Sequence, residues 1–287
     1  MADLDHLIQR AEHLMQRLEL LLPSASAAPD WKAHAWRWRK RNGQGSLQPV
    51  AHPHVIRLAD LQGVEAQKTA LERNTLQFVR SLPANNALLT GARGTGKSSL
   101  IKALLAEFAG AGLRLIEVDK HDLVDLPDIA DLLVARPERF IVFCDDLSFE
   151  AGEPGYKALK VALDGSIAGA ADNMLIYATS NRRHLMPESM TENLETQYVG
   201  DEIRPGETTE EKIALSERFG LWLSFYPFDQ DEYLAIVRHW LRSFGIMRLT
   251  PQVRRAALRW ALGRGSRSGR VARQFACDWA GQKALRV

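Results

Sequence analysis

The chain has 287 residues, 46% of them hydrophobic, with 37 Lys and Arg against 35 Asp and Glu and a net charge of +2. That is enough apolar material for one large domain or two modest ones, and so small a net charge neither demands nor excludes a polyanionic partner. Cys144 and Cys277 are too few and too far apart for a zinc site or a disulfide framework. No apolar run reaches the ~18 residues of a membrane span, and the first residues lack the charged-then-apolar pattern of a secretory signal. The expectation is a cytoplasmic protein with no membrane partner.

Leu7, Ala11, Leu14, Leu18 and Leu21 recur at spacings of four and three, which predicts a helix over 5–22. It packs either on its own domain or on a neighbour. "PSASAAPD", 23–30, reads as a linker. "WKAHAWRWRKR", 31–41, interleaves three tryptophans with five Lys and Arg, and "NGQGS" then breaks the chain. Its aromatics could stack on bases while its cations track phosphates. The expected alternative is that the tryptophans pack on the neighbouring domain and the basic heads stay in water.

From residue 57 the pattern becomes α/β. Helices are predicted near 64–80, 98–108, 127–135 and 156–168, alternating with strands at 86–90, 113–119, 140–146, 173–181 and 220–227. A polar stretch, 186–210, has no clear periodicity. Asp229 can cap a helix running to 243, and two more helices follow near 251–262 and 268–284. Strands alternating with helices imply a five-stranded parallel sheet with its site at the strand C-terminal ends.

"GARGTGKSS", 91–99, fits the phosphate-loop pattern G-x-x-x-x-G-K-[ST] between a predicted strand and a predicted helix. Gly91, Ala92, Arg93, Gly94, Thr95, Gly96, Lys97, Ser98 and Ser99 are therefore the candidate nucleotide-binding residues. The glycines let backbone N–H groups wrap a phosphate at the positive end of a helix. Lys97 would reach the β- and γ-phosphates, and Ser98 would ligate Mg²⁺. Such a site also needs a carboxylate beside the loop for the metal, and "FIVFCDD", 140–146, offers Asp145. Asp146 is the candidate group that activates the attacking water. Its side chain is one carbon shorter than Glu, and Glu150 is the alternative. The next strand ends in "ATSN", where Thr179 or Asn181 could hold that water.

The order of phosphate loop, Asp145-Asp146, Asn181, "LSERFG" at 215–220 and "SGRVARQF" at 268–275 resembles the AAA+ ATPase superfamily. The segments "LQGVEAQKTALERNT", "LLTGARGTGKSSL", "FCDDLSFE", "IYATSNRRHL" and "ERFGLWLSFYPFDQDEYL" are similar more narrowly to the bacterial AAA+ family called domain of unknown function 815. The resemblance implies an AAA+ α/β nucleotide-binding domain at 57–228 and a helical lid at 229–287, which follow the N-terminal helical extension at 1–56, made of the predicted helix, the linker and the basic aromatic segment. It implies that Asn181 is a sensor of the γ-phosphate. It implies that Arg218 acts in trans as an arginine finger of a homo-oligomer. It implies that Arg270, with Arg267 and Arg273 close by in sequence, reaches the γ-phosphate from the lid. Leu58 to Gly63 would line the adenine pocket.

The leading expectation is an ATPase with ATP and Mg²⁺ as ligands, coupled to remodelling or loading of an unknown protein client. A nucleotide-dependent switch with negligible turnover is the alternative suggested by the short Asp146. A nucleic-acid-binding ATPase is a further alternative, resting on 31–41 and on the seven arginines between 254 and 273. A small-molecule kinase fits the "LSERFG" segment and helical tail poorly.

Overall fold

A computed structural model describes residues 28–41, 43–53, 55–149, 153–164, 172–182, 185, 197–199, 202–204, 215 and 217–285, with scattered positions from 6 to 15. Those scattered positions are helical. The remainder of the helix expected over 5–22, and residues 23–27 of the linker, lie outside the described residues, as does Glu150.

The main sheet has seven strands rather than the five expected, in the order β2-β1-β4-β5-β6-β3-β9. The five anticipated strands are β3 (Ala87–Gly91), β4 (Leu113–Glu117), β5 (Arg139–Cys144), β6 (Met174–Ser180) and β9 (Leu221–Phe225). All of them pair in parallel. Their near-continuous apolar runs suit strands covered on both faces, and β5 is buried from Phe140 to Cys144.

The two additional strands are β1 (Ala35–Arg41) and β2 (Gln44–Pro49), an antiparallel hairpin in which Arg41 pairs with Gln44. The basic aromatic segment is therefore part of the sheet and not of a separate extension. Its alternation is a strand period: Trp36 and Trp38 point inward at 1% and 3% exposure, while Arg37 and Arg39 point out. Trp36 packs against Trp31 and Phe140. The Trp38 indole N–H and the Lys40 ammonium both donate to the buried Asp125 carboxylate, at 2.9 and 2.7 Å. β1 runs parallel to β4 from Ala35 to Arg37, and Arg37 there pairs with Glu117 at 2.7 Å.

Helices α1 (Glu65–Val79), α2 (Lys97–Phe108), α3 (Leu126–Leu133) and α4 (Pro154–Asp164) flank the sheet. Within the polar stretch the described residues are two short strands, β7 (Gln197–Val199) and β8 (Glu202–Arg204), paired with each other. The C-terminal region is three helices: α5 (Gln230–Ser243), α6 (Pro251–Gly263) and α7 (Gly269–Ala284). Asp229, Thr250 and Ser268 cap them by accepting hydrogen bonds from first-turn N–H groups. Their apolar faces, including Tyr233, Val237, Ala257 and Phe275, join one core with Leu89, Leu100 and Leu104 beneath the sheet.

Candidate functional site

The chain leaves β3 and crosses β6 and β5 before forming β4, so the loop that follows β3 lies at the C-terminal ends of β3, β6 and β5. A crevice outside such ends is where open α/β sheets hold ligands. The loop from Gly91 to Gly96 lies there. Gly91 has φ +126°, and a Cβ on it would fall 1.9 Å from the Phe225 carbonyl oxygen, so no other residue fits between β3 and β9. Gly96 is left-handed at φ +104° and opens α2. Gly94 has φ +75°, and a Cβ there would meet the Ser268 side chain at 2.8 Å. The lid thus rests directly on the loop, and the Gly269 N–H, at the start of α7, donates to the Gly94 carbonyl at 2.9 Å.

Lys97 is 6% exposed. Its ammonium donates to the carbonyls of Gly91 and Ala92, at 2.7 and 2.9 Å, and to Asn181 Oδ1 at 3.1 Å. Burial lowers its pKa, while Asp146 and Asp145 pull the other way. The Asn181 amide donates in turn to Asp146 Oδ1. The Ser98 hydroxyl donates to Asp145 Oδ1 at 2.6 Å. The Thr179 hydroxyl donates to the same oxygen at 2.6 Å and accepts the Asp146 N–H at 2.9 Å. Asp146 sits at φ +52°, a left-handed conformation that Asp tolerates better than most residues. Its carboxylate is 58% exposed and has the Arg93 guanidinium 3.9 Å away.

These side chains line a cavity of about 1040 Å³. Its apolar lining includes Ile56, Leu61, Val64, Phe228, Ile236 and Trp240. Thr95, Gly96, Ser98, Ser99, Arg93 and Gly94 also face the cavity. Of the 58–63 segment, Asp60, Leu61 and Gln62 line it. Among the lid arginines, Arg270 and Arg273 line it and Arg267 does not. Arg218 does not line it either, and its guanidinium pairs with Asp164 at the end of α4.

Sequence reasoning missed Gln274, Cys277 and Asp278, which line the same cavity from α7. Gln274 and Cys277 follow Arg270 at helical spacings of four and seven, so the helix period could have found them. It also left Thr179 and Asn181 as alternatives, whereas the two do different things. Thr179 ties Asp145 to Asp146, and Asn181 ties Asp146 to Lys97.

The donor set at the loop suits Mg²⁺, since a hydroxyl and a carboxylate oxygen converge where phosphate oxygens would complete the shell. Among the described residues no group of three or more His, Cys, Asp or Glu could hold a metal alone, and no helix is long and apolar enough to cross a membrane.

Sheet order, phosphate loop and helical C-terminal region together define an AAA+ P-loop fold. The family described as Protein of unknown function (DUF815) matches residues 31–283, and the chain belongs to it. No curated protein matches. Among solved structures, the Aeropyrum pernix Orc1 protein in complex with DNA is similar with a TM-score of 0.53 at 17% identity. The match covers 79% of this chain but only 62% of Orc1. A RuvB variant from Thermotoga maritima matches with a TM-score of 0.42 at 16% identity, over 77% of this chain and 70% of RuvB.

Proposed function

We propose that this protein binds ATP with Mg²⁺ in the cavity and hydrolyses it. The observation that carries the reading is the joined set of contacts beside the loop, where Ser98 meets Asp145 and Asn181 links Lys97 to Asp146. Loop N–H groups and Lys97 would bind the triphosphate, Lys97 exchanging the Gly91 and Ala92 carbonyls for phosphate oxygens. Ser98 and Asp145 would hold Mg²⁺, which when bound neutralises phosphate charge. Asp146 would accept a proton from the attacking water, and Asn181 would orient that water. Thr179 fixes both aspartates by their backbone and carboxylate contacts.

Arg270 would reach the γ-phosphate from the lid. Arg218 lies off its own cavity, which supports a role in a neighbouring subunit of a homo-oligomer, where its charge would assist phosphoryl transfer. The hydrogen bond from Gly269 to Gly94 supports coupling of the nucleotide state to lid movement and so to a client. The reading takes the site of action to be the cytoplasm, where ATP is at hand.

Phosphate release by the purified protein tests the proposal. Lys97→Ala should lose nucleotide binding by calorimetry, and Asp146→Asn should keep Mg·ATP while turnover falls. Arg218→Ala should also bind without turnover, and mixing it with Lys97→Ala should restore some activity. Undetectable turnover of the parent at every protein concentration would instead favour a nucleotide-dependent switch, a reading supported by the short reach of Asp146 and its bond to Asn181.

A further inference from the structure

Residues 229–287 hold twelve Lys and Arg against four Asp and Glu, a net of +8 in a chain whose total is +2, so residues 1–228 carry −6. The separation is sharper along the chain: no carboxylate occurs between Glu232 and Asp278, and ten arginines do. Arg270 and Arg273 belong to the nucleotide cavity. The others have no role there.

Arg248, Arg254, Arg255, Arg259, Arg264 and Arg267 lie on α6 and the two loops that flank it, and all are exposed. On α6 the buried stripe is Val253, Ala257 and Ala261. Arg255 and Arg259, one turn apart, therefore project from the opposite face. Among the described arginines of the lid, only Arg254 has a carboxylate within 4 Å, Asp231 at 3.9 Å. A surface evolved merely to be soluble would intersperse both signs.

We propose that α6 and its flanking loops bind the sugar-phosphate backbone of nucleic acid without reading its sequence. Eleven of the twelve cations are Arg, whose planar fork fits phosphate oxygens in pairs. The loop "RGSRSG", 264–269, is exposed from Arg264 to Arg267, and its Gly265, at φ +64°, has open space on its Cβ side. A membrane surface fits less well. An interfacial helix needs a free apolar face, and that of α6 is buried in the core, with Leu262 the one large apolar side chain exposed on the helix. The same loop runs into Gly269, whose N–H is bonded to the phosphate loop. Nucleotide and nucleic acid would therefore alter each other's affinity by the same factor. The binding surface itself rests on the charge pattern, not on hydrolysis.

The test is fluorescence anisotropy with a short labelled DNA duplex of mixed sequence, titrated with the full chain at several salt concentrations. The parent should bind at low salt, and log K should fall steeply with log salt. Arg255→Gln with Arg259→Gln should weaken binding at least tenfold and make that slope shallower by about one to two. Arg248→Gln with Arg267→Gln is a second pair, and circular dichroism melting checks that both variants fold. Lys97→Ala should retain duplex binding without nucleotide, which separates this site from the ATP site. A parent that ignores the duplex, or variants that bind it as the parent does, would overturn the proposal. So would equal competition by polyglutamate, tighter binding to vesicles of anionic lipid, or loss of self-association as the only effect of the substitutions.

Discussion

The hairpin 35–49 and the lid 229–287 are both rich in arginine and tryptophan, yet their side chains end in opposite surroundings. In the hairpin, Trp36 and Trp38 are buried, and two cations, Arg37 and Lys40, have a carboxylate at 2.7 Å. In the lid, Trp240, Trp260 and Trp279 are half-buried, and Arg264 and Arg273 lie over the Trp260 and Trp240 rings at 5.0 and 5.3 Å. Composition is shared. Period and neighbours decide the difference: alternation by two sends the hairpin tryptophans to one face, and Glu117 and Asp125 wait beside the cations. The lid arginines are spaced along helices and loops that contain almost no acids.

Trp36→Ala should produce the largest effect. Removing a fully buried indole from among Trp31 and Phe140 is expected to cost ~3–5 kcal/mol, read as a large drop in melting temperature. Duplex affinity at a temperature where the variant is folded should not change. A loss of duplex affinity without a change in melting would reverse the comparison and give the hairpin the nucleic-acid role.

Asp125→Asn should have a smaller effect, with a pH signature. Burial alone would raise the Asp125 pKa, but the hydrogen bonds from Lys40 and Trp38 outweigh it and hold the carboxyl below its ordinary range. The unfolded chain therefore protonates this group first, near its ordinary value of ~3.9. Its stabilisation is fully present above that pH and disappears as pH falls through the lower folded value. Denaturant unfolding across that acid window should show the step in the parent and a flatter profile in Asp125→Asn.

The smallest stability effect is expected from the lid. Arg255→Ala with Arg259→Ala touches no buried group, so unfolding free energy should stay within about 0.5 kcal/mol of the parent. A substantial loss would mean that these arginines serve the fold, as Lys40 does.

Much of the candidate site was legible because its signals are local. The glycine spacing of 91–96, the run ending at Asp145 and the polar tip at Asn181 each sit within a few residues of sequence. Contacts between distant residues were not: Ser98 meets Asp145 across 47 positions, and Arg218 meets Asp164 across 54. The left-handed backbone of Asp146 had no sequence signal beyond an Asp at a strand end. The hairpin did have one. Asn42-Gly43 between two short segments is a strong two-residue turn pattern, and Gly43 has φ +80°. It was obscured because a WRWR run reads as a binding motif before it reads as an alternating strand.

The hairpin also changes where the sheet stops. Without it, β4 would be the outermost strand, and the backbone of Leu113–Glu117 would present free N–H and C=O groups beside the apolar side chains of Leu115 and Ile116. Such a border recruits strands from other molecules. With β1 in place, Leu115 N–H donates to the His34 carbonyl at 3.1 Å, and the border passes to β2, "QGSLQP", a short polar strand ending in proline. Proline has no N–H to offer a foreign strand. At the opposite border the Gln67 side chain donates to the Ser224 carbonyl at 2.8 Å, filling one of the acceptors that β9 would otherwise present. Each margin of the sheet thus offers a foreign strand less to pair with, one through an appended polar hairpin and the other through a single amide.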